Sequence, residues 1–503
     1  MTTQLVWYKR DLRVSDHAPL VHASEAECCV CLYVYEPEII EAEDFDAAHL
    51  NFINESLVEL RESLRQRGGE LLLRTGRMPD VLEQLHQEIG FDFIWAHEET
   101  FNQISYQRDR RVRAWAKSKQ VPLKEIPQYG VVCQLKNRDG WAKQCAQRMQ
   151  QPLLAVPKKL QLNAKIRSLP PGEIQTANQF QVRAFDRVDL QAGGETEAAV
   201  WLNSFLQDRG VNYRSDMSSP LTGESGCSRL SPFLAIGNIS MRTIHQQTAA
   251  RVAELKEQRK SGVVIEPTWL RSLSSFRSRL SWHCHFMQKL EDEPAIEFKN
   301  FNRAYDGLRE GEFNEDYFAA WCEGRTGYPM IDACMRALHQ TGWINFRMRA
   351  MLVSFTSYHL WLHWRRPAIY LARLFLDYEP GIHYSQIQMQ AGVTGINTVR
   401  IYSPIKQVVD QDPQGIFIRR FLPELTHVPD KHLAEPHKMT SMEQTLFECK
   451  IDVDYPSPIV DHKIRYKAAR DRMHSLKKLP ETRRASEQVF QKHGSRKTPT
   501  RRK

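Results

Sequence analysis

GRTGYPMIDACMRALHQTGWINFRMRAMLVSFTSYHLWLHWRRP, Gly324 to Pro367, reads as two helices meeting at a glycine. Pro329 suits a first helical turn, where its missing N–H has no partner to lose. Ile331, Met335 and Leu338 recur at helical spacing and Gly342 breaks the pattern. A second apolar helix is expected from about Asn345 to His363, ended by Arg366 and Pro367. Arg336, Arg347 and Arg349 sit near Trp343, Phe346, Phe355 and Trp364. A guanidinium among aromatic rings is costly unless a fixed anion receives it. Spacing alone leaves two readings open: a buried hairpin whose arginines reach out to solvent, or a corner built around an anion.

At 503 residues with 42% hydrophobic content, the chain exceeds one ordinary core, so two or three domains are expected. No apolar run reaches membrane-spanning length. The N-terminal run MTTQLVWYKRDLRVSD leads straight to Lys9, Arg10, Asp11 and Arg13 and is not a signal peptide. Ten cysteines without regular spacing fit a reducing compartment, and Cys28, Cys29 and Cys31 lie in a strand-like run as inert thiols. The expectation is a cytoplasmic monomer with no membrane contact and no metal. The net charge of +9 is concentrated at the end: residues 463–503 hold fifteen Lys/Arg against three Asp/Glu, leaving the remainder net negative. A basic, disordered tail is expected over 476–503, suited to polyanions through counterion release or serving only solubility.

Upstream, strand and helix signals alternate. Strands are expected at Leu5–Tyr8, Cys28–Tyr35, Glu70–Arg74, Phe91–Ala96 and Val121–Ile126. Helices are expected at Ala47–Arg67, Met78–Ile89 and Tyr106–Lys119. This is the signature of a doubly wound parallel sheet over residues 1–130. It carries neither GxGxxG nor a P-loop, so no Rossmann-type dinucleotide site follows. Periodicity then fades through a connector at 131–199, punctuated by Pro152, Pro157, Pro170 and Pro171. A helical domain is expected over 200–475.

Within it, SGCSRLSPFLAIGNIS (Ser225–Ser240) places Ser231 as a helix N-cap before Pro232. Small residues with free N–H groups, plus Arg229 as a charge-assisted donor, suit a diphosphate, although any capped helix offers part of this.

The Gly324–Pro367 stretch resembles the flavin-binding helical core of the DNA photolyase and cryptochrome family, following its TGYPxxDAxMRxLxxTGWxxxRxRM pattern almost throughout. LVWYKRDLRVSDHAPL resembles that family's antenna domain, and Ser225–Ser240 its flavin diphosphate loop, commonly GTSRLSPYLAxGxLS. The resemblance implies an α/β antenna-type domain followed by an all-α FAD-binding domain. It also implies FAD held by Tyr213, Cys227, Ser228, Arg229, Leu230, Ser231, Arg279, Arg347, Arg349, Asp377, Glu379 and His383. Cys227 stands where the family often has Thr. Asp377 is implied to pair with Arg349, and His383 to face the flavin N5 edge in place of Asn. A second chromophore, folate or deazaflavin, is implied in a cleft near His97–Asp109, where the folate pattern is not followed.

The implied activity is blue-light-driven splitting of pyrimidine dimers in DNA by an electron from reduced FAD, with a photoreceptor lacking repair as the alternative. Trp282, Arg347, Met389 and Arg400 are implied at the DNA, and Trp282, His383 and Trp364 in the chemistry. Several positions depart from the family. Arg279 replaces a lesion-contacting glutamate and His283 an arginine. Phe346 replaces a polar Asn, and Asn345 the histidine needed for (6-4) repair. Ile387 replaces the proximal tryptophan of the usual electron chain, while Trp364 matches the middle one. Tyr378, Tyr384, Trp343 and Trp361 are the candidate substitutes.

Overall fold

The computed structural model describes residues 2–494. Five parallel strands, β1 (Thr3–Tyr8), β2 (Cys28–Tyr35), β3 (Leu71–Thr75), β4 (Phe93–His97) and β5 (Leu123–Ile126), lie in the order β3-β2-β1-β4-β5. Register is set by pairs such as Leu5 with Val30 and Leu5 with Ile94. Both faces of β2 are buried, which is why CCVCLYVY runs apolar instead of alternating. Val6, Tyr8, Cys29 and Cys31 pack toward α1 (Ala47–Arg65). Leu5, Trp7, Cys28 and Val30 pack toward α2 (Met78–Ile89) and Val112 of α3 (Gln103–Ser118). The α/β expectation holds, with boundaries moved by at most three residues.

After α4 (Trp141–Gln150) the connector wraps the molecule and delivers α5 (Glu195–Gln207) against α1. The helical half comprises α6 (Ser231–Ile236), α7 (Met241–Lys260), α8 (Trp269–Asp292), α9 (Pro329–Thr341), α10 (Phe346–Ser354), α11 (Arg365–Leu374) and α12 (Pro380–Ala391). These are followed by α13 (His462–Lys478) and α14 (Pro480–His493). One apolar core runs from the sheet through Leu206 and Phe233 to Phe276 of α8. The halves approach closely at Gly237 (φ +78°), where a Cβ would lie 2.3 Å from the Arg10 carbonyl oxygen. No helix among the described residues is long and apolar enough to cross a membrane.

Two expectations are corrected. Pro329 opens α9 and Gly342 caps it with φ +67°, but the second helix stops at Ser354. A π-helical turn follows at Phe355–His359, and Trp361 takes φ +56°. Arg366 and Pro367 do not end a helix; they occupy the first turn of α11, where proline's missing N–H costs nothing. The tail expected to be disordered is helical over Pro480–His493, because Thr482, Val489 and His493 bury one stripe against the body. Residues 495–503 of that expectation lie outside the described residues.

Candidate active site

Arg349 of α10 grips Asp377 with both prongs, Nη1 to Oδ1 at 2.8 Å and Nη2 to Oδ2 at 2.9 Å. Its guanidinium lies 4.1 Å over the Phe375 ring. Burial pushes the Asp377 carboxyl up, but the Arg349 charge and hydrogen bonds outweigh it and hold the carboxyl below its ordinary range. Ser231 Oγ donates to Asp377 Oδ2 at 2.6 Å. Ser231 is not the N-cap expected of it, because it is already the first residue of α6. Leu230 takes the cap position, and its apolar side chain has no acceptor to offer the free N–H groups.

Arg229 adopts φ +57°, an uncommon conformation for a side-chain-bearing residue. Its guanidinium lies 4.3 Å over Trp343 and 5.7 Å over Trp201, and its Nε is buried without a partner. Arg209, not anticipated from the sequence, holds this loop from behind. Its Nη1 donates to the carbonyls of Ser225 (2.8 Å) and Cys227 (2.7 Å), and it stacks on Trp201 at 4.7 Å. The loop pattern drew attention to the SRLS residues, while Arg209 sits eighteen positions before Cys227 with no local signature. Burial pushes the Cys227 thiol up to about 12. Ser228 Oγ turns back to the Leu230 amide at 3.5 Å. Tyr213 is buried beside Phe276, and its phenol interacts with the exposed Arg279.

Helix α12 presents His383, whose Nε2 donates to the Ala368 carbonyl at 2.8 Å. Burial pushes this imidazole down to about 4. It is neutral at pH 7, with Nδ1 left as an acceptor. Glu379 does not join Asp377; it pairs with His283 Nε2 of α8 at 2.9 Å. Asn345 Oδ1, Arg347 Nε and Gln386 Oε1 are buried polar atoms without partners.

A cavity of about 690 Å³ opens beside this region, lined by Arg347, Arg400, Tyr402, Lys406, Lys463 and Tyr466 among others. Of the four residues expected at DNA, two line it, Arg347 and Arg400. Met389 is half-buried on α12, and Trp282 stands 42% exposed on α8. Trp364 is buried in the core, with Nε1 donating to Asn300 Oδ1 at 2.7 Å. Lys406, Lys463 and Tyr466 were missed, because only the fold brings α13 and the short helix Pro404–Gln411 to the wall that carries Arg347.

At the carboxyl ends of β1 and β2 a second space is lined by Tyr8, Lys9, Arg10, Glu36, Phe101 and Arg108, and measures about 50 Å³. The Arg108 guanidinium borders it, ion-paired with Glu36, Glu99 and Asp109. A folate or deazaflavin is several times larger than this space. Nearby, Asp11 Oδ2 accepts from His17 Nε2 (2.8 Å) and His97 Nδ1 (2.7 Å), while His17 Nδ1 accepts from the Leu20 amide. This trio satisfies itself and clamps the end of β1 to β4.

The family described as FAD binding domain of DNA photolyase matches residues 276–475, and that described as DNA photolyase matches residues 4–134. A deoxyribodipyrimidine photo-lyase from Alkalihalophilus pseudofirmus is 28% identical over 491 residues, covering 92% of this chain and 96% of that protein. A cryptochrome DASH from Gloeobacter violaceus is 29% identical, covering 91% of this chain and 93% of its own. The solved cryptochrome from Synechocystis sp. PCC6803 superposes with a TM-score of 0.79 at 25% identity, over 94% of this chain and 99% of that one. The unpartnered Arg229 Nε, Asn345 Oδ1 and Gln386 Oε1 and the Ser231–Asp377–Arg349 cluster fit a ligand with a charged diphosphate and a polar ring edge. The chain is an FAD-binding member of the DNA photolyase and cryptochrome family.

Proposed function

We propose that the protein repairs UV-induced pyrimidine dimers in DNA under blue light, acting as a cytoplasmic monomer. The observation that carries this reading is the 690 Å³ cavity. Arg347, Arg400, Lys406 and Lys463 face it against a single acid, Asp410, and Tyr402 and Tyr466 offer flat rings between the cations. Cations interleaved with aromatics suit a phosphate backbone from which bases are extruded. Arg347 and Arg400 hold phosphates, and Trp282 stacks on a displaced base while Met389 lies against it.

Bound reduced FAD supplies the electron that splits the dimer. Arg229 and Arg209 set the loop that receives its diphosphate, with Cys227, Ser228, Leu230 and Ser231 along it and Tyr213 and Arg279 at its side. Asp377 neutralises and orients Arg349. His383 offers Nδ1 as an acceptor and carries no charge at neutral pH, and Glu379 fixes His283.

The second reading is a blue-light photoreceptor without repair. It is favoured by Phe346, 48% exposed where the family resemblance implies a polar amide. Reduced protein mixed with oligonucleotides bearing one cyclobutane dimer or one (6-4) product, lit or dark, separates the two. Light-dependent restoration of either lesion supports repair; flavin-loaded protein that restores neither supports the photoreceptor.

A further inference from the structure

Ile387 has no oxidisable ring, so photoreduction of oxidised flavin needs another donor. Among the aromatic candidates, two are disfavoured by charge. Trp343 carries the Arg229 guanidinium 4.3 Å over its face, and Trp361 lies between Arg309 (4.5 Å) and Arg472 (4.7 Å). A fixed positive charge on an indole opposes loss of an electron from it. The remaining rings form a buried cluster around His383. Tyr378 and Tyr384 stand edge-on to that imidazole at 5.2 and 5.3 Å, and Trp364 is 6.1 Å from Tyr384.

Only one ring of this cluster has a base at hydrogen-bond distance. Tyr378 Oη donates to Asp44 Oδ2 at 2.6 Å, and its next oxygen neighbour, Tyr384 Oη, is at 3.4 Å. Asp44 comes from the other half of the molecule, three residues before α1, and is buried. Its remaining surroundings are Asn102, which donates to the same oxygen at 3.3 Å, and the acids Glu43 and Glu297. Arg10 reaches only the Tyr378 carbonyl, at 3.5 Å, and Arg365 is paired with Glu43. Burial, together with the neighbouring acid, holds the Asp44 carboxyl above its ordinary range, which strengthens it as a base. A phenol that loses an electron in a dry site becomes a strong acid, and keeping both charges there is expensive. A carboxylate at 2.6 Å removes that cost.

We propose that Tyr378 is the proton-coupled electron donor of this protein and Asp44 its proton acceptor. One electron leaves Tyr378 for the photoexcited oxidised flavin, the phenol O–H bond breaks, and the proton moves to Asp44 Oδ2. A neutral phenoxyl radical is left beside a neutral carboxylic acid. A thiol reductant returns an electron to the radical, and the proton comes back from Asp44. Asp44 acts through Tyr378 and is a positioning residue. The inference rests on the flavin reading and is independent of whether the protein repairs DNA.

The test uses full-length, FAD-loaded protein, with flavin stoichiometry measured first, so that failure to hold FAD counts against the flavin reading alone. Wild type, Tyr378→Phe, Asp44→Asn, Tyr384→Phe and Trp364→Phe are lit with blue light and a thiol, in H2O and D2O. Loss of oxidised-flavin absorbance gives the rate, and freeze-quench EPR detects radicals. The expected result is a neutral tyrosyl signal and a D2O-slowed rate in wild type, with the signal absent in Tyr378→Phe. Asp44→Asn, close in shape to the native side chain, should slow reduction by about 100-fold and abolish the isotope effect, the loss expected on removing a general base. An unchanged rate in Tyr378→Phe overturns the proposal, as does an unchanged isotope effect in Asp44→Asn or loss of photoreduction only in Trp364→Phe.

Discussion

Ser231 Oγ lies 2.6 Å from Asp377 Oδ2, an oxygen that also accepts Arg349 Nη2 at 2.9 Å, so the start of α6 and helix α10 are joined through one carboxylate. Arg349→Ala leaves that buried carboxylate with a hydroxyl alone. Removing one partner of such a pair costs about 3–5 kcal/mol. The variant should unfold at a lower temperature at pH 7 and lose FAD on gel filtration. The sign of its pH dependence is fixed. Wild-type Asp377 is held below its ordinary range, so it contributes stability above that range and loses it as pH falls through the folded value. In the variant burial is opposed only by the Ser231 hydrogen bond and the Arg229 charge, and the carboxyl rises. The melting-temperature gap should therefore be widest at neutral pH and shrink toward about pH 4 and below. A gap that stays constant from neutral to acid pH refutes the assignment.

Helix α14 pins the loop between α12 and the cavity wall. Ser486 Oγ accepts from Asn302 Nδ2 at 3.0 Å, and a Cβ on Gly395 would lie 2.4 Å from both atoms. Val489 packs with Leu290, Ile296 and Phe301, and His493 Nε2 meets Glu293 Oε2 at 2.8 Å. The same loop runs on to Arg400 and Tyr402 at the cavity. Ending the chain after Leu479 should speed amide exchange over 393–400 and lower the unfolding free energy by at least the burial of one valine, about 1.5–3 kcal/mol, with flavin retained. Unchanged exchange in that loop would show that α14 only rests on the surface.

The difference between legible and illegible parts has a physical basis. Strands buried on both faces announce themselves as apolar runs, so Cys28–Tyr35 is read to the residue. Helix α14 hides because its anchors, Thr482, Val489 and His493, are sparse among charges whose composition mimics a solvated tail. The π-helical turn at Phe355–His359 has no sequence period of its own, which is why Pro367 was expected to end a helix it opens. At the site, Arg349 and Asp377 became readable as a pair only through family resemblance, being 28 positions apart. Contacts such as Asp44 with Tyr378, 334 positions apart, depend on how the two halves dock and leave no local trace.

That docking is tight at Gly237. Its φ of +78° and the 2.3 Å approach of a built Cβ to the Arg10 carbonyl leave no room for a side chain. Arg13 Nη1 also donates to the Gly237 carbonyl at 2.8 Å, so the backbone there cannot drift freely. Gly237→Val should destabilise by about 1–3 kcal/mol from backbone strain alone and by more from the clash. Calorimetry should show the single unfolding transition broaden or split as the halves uncouple. A variant melting like wild type would mean the halves can separate at this point without penalty.

The pair His283–Glu379 carries the last prediction. Glu379 is 4% exposed and sits at the cap of α12, and its carboxylate Oε2 meets His283 Nε2 at 2.9 Å. The backbone carbonyl of Glu379 also accepts the His383 amide at 2.8 Å, so moving this residue moves the first turn of the helix that carries His383. His283→Ala strands a buried carboxylate, at a cost of about 3–5 kcal/mol. His283→Arg supplies a permanent cation of suitable reach and should restore most of that stability. If the pair serves only packing, His283→Phe should rescue as well as His283→Arg, because the ring volume returns without the hydrogen-bonding nitrogen. The expected order of melting temperatures at pH 7 is wild type and His283→Arg highest, then His283→Phe, then His283→Ala. The flavin absorption band should shift in the Phe and Ala variants as His383 loses its fixed position. Equal melting temperatures for the Arg and Phe variants would assign the site to packing and remove Glu379 from the polar framework of the pocket.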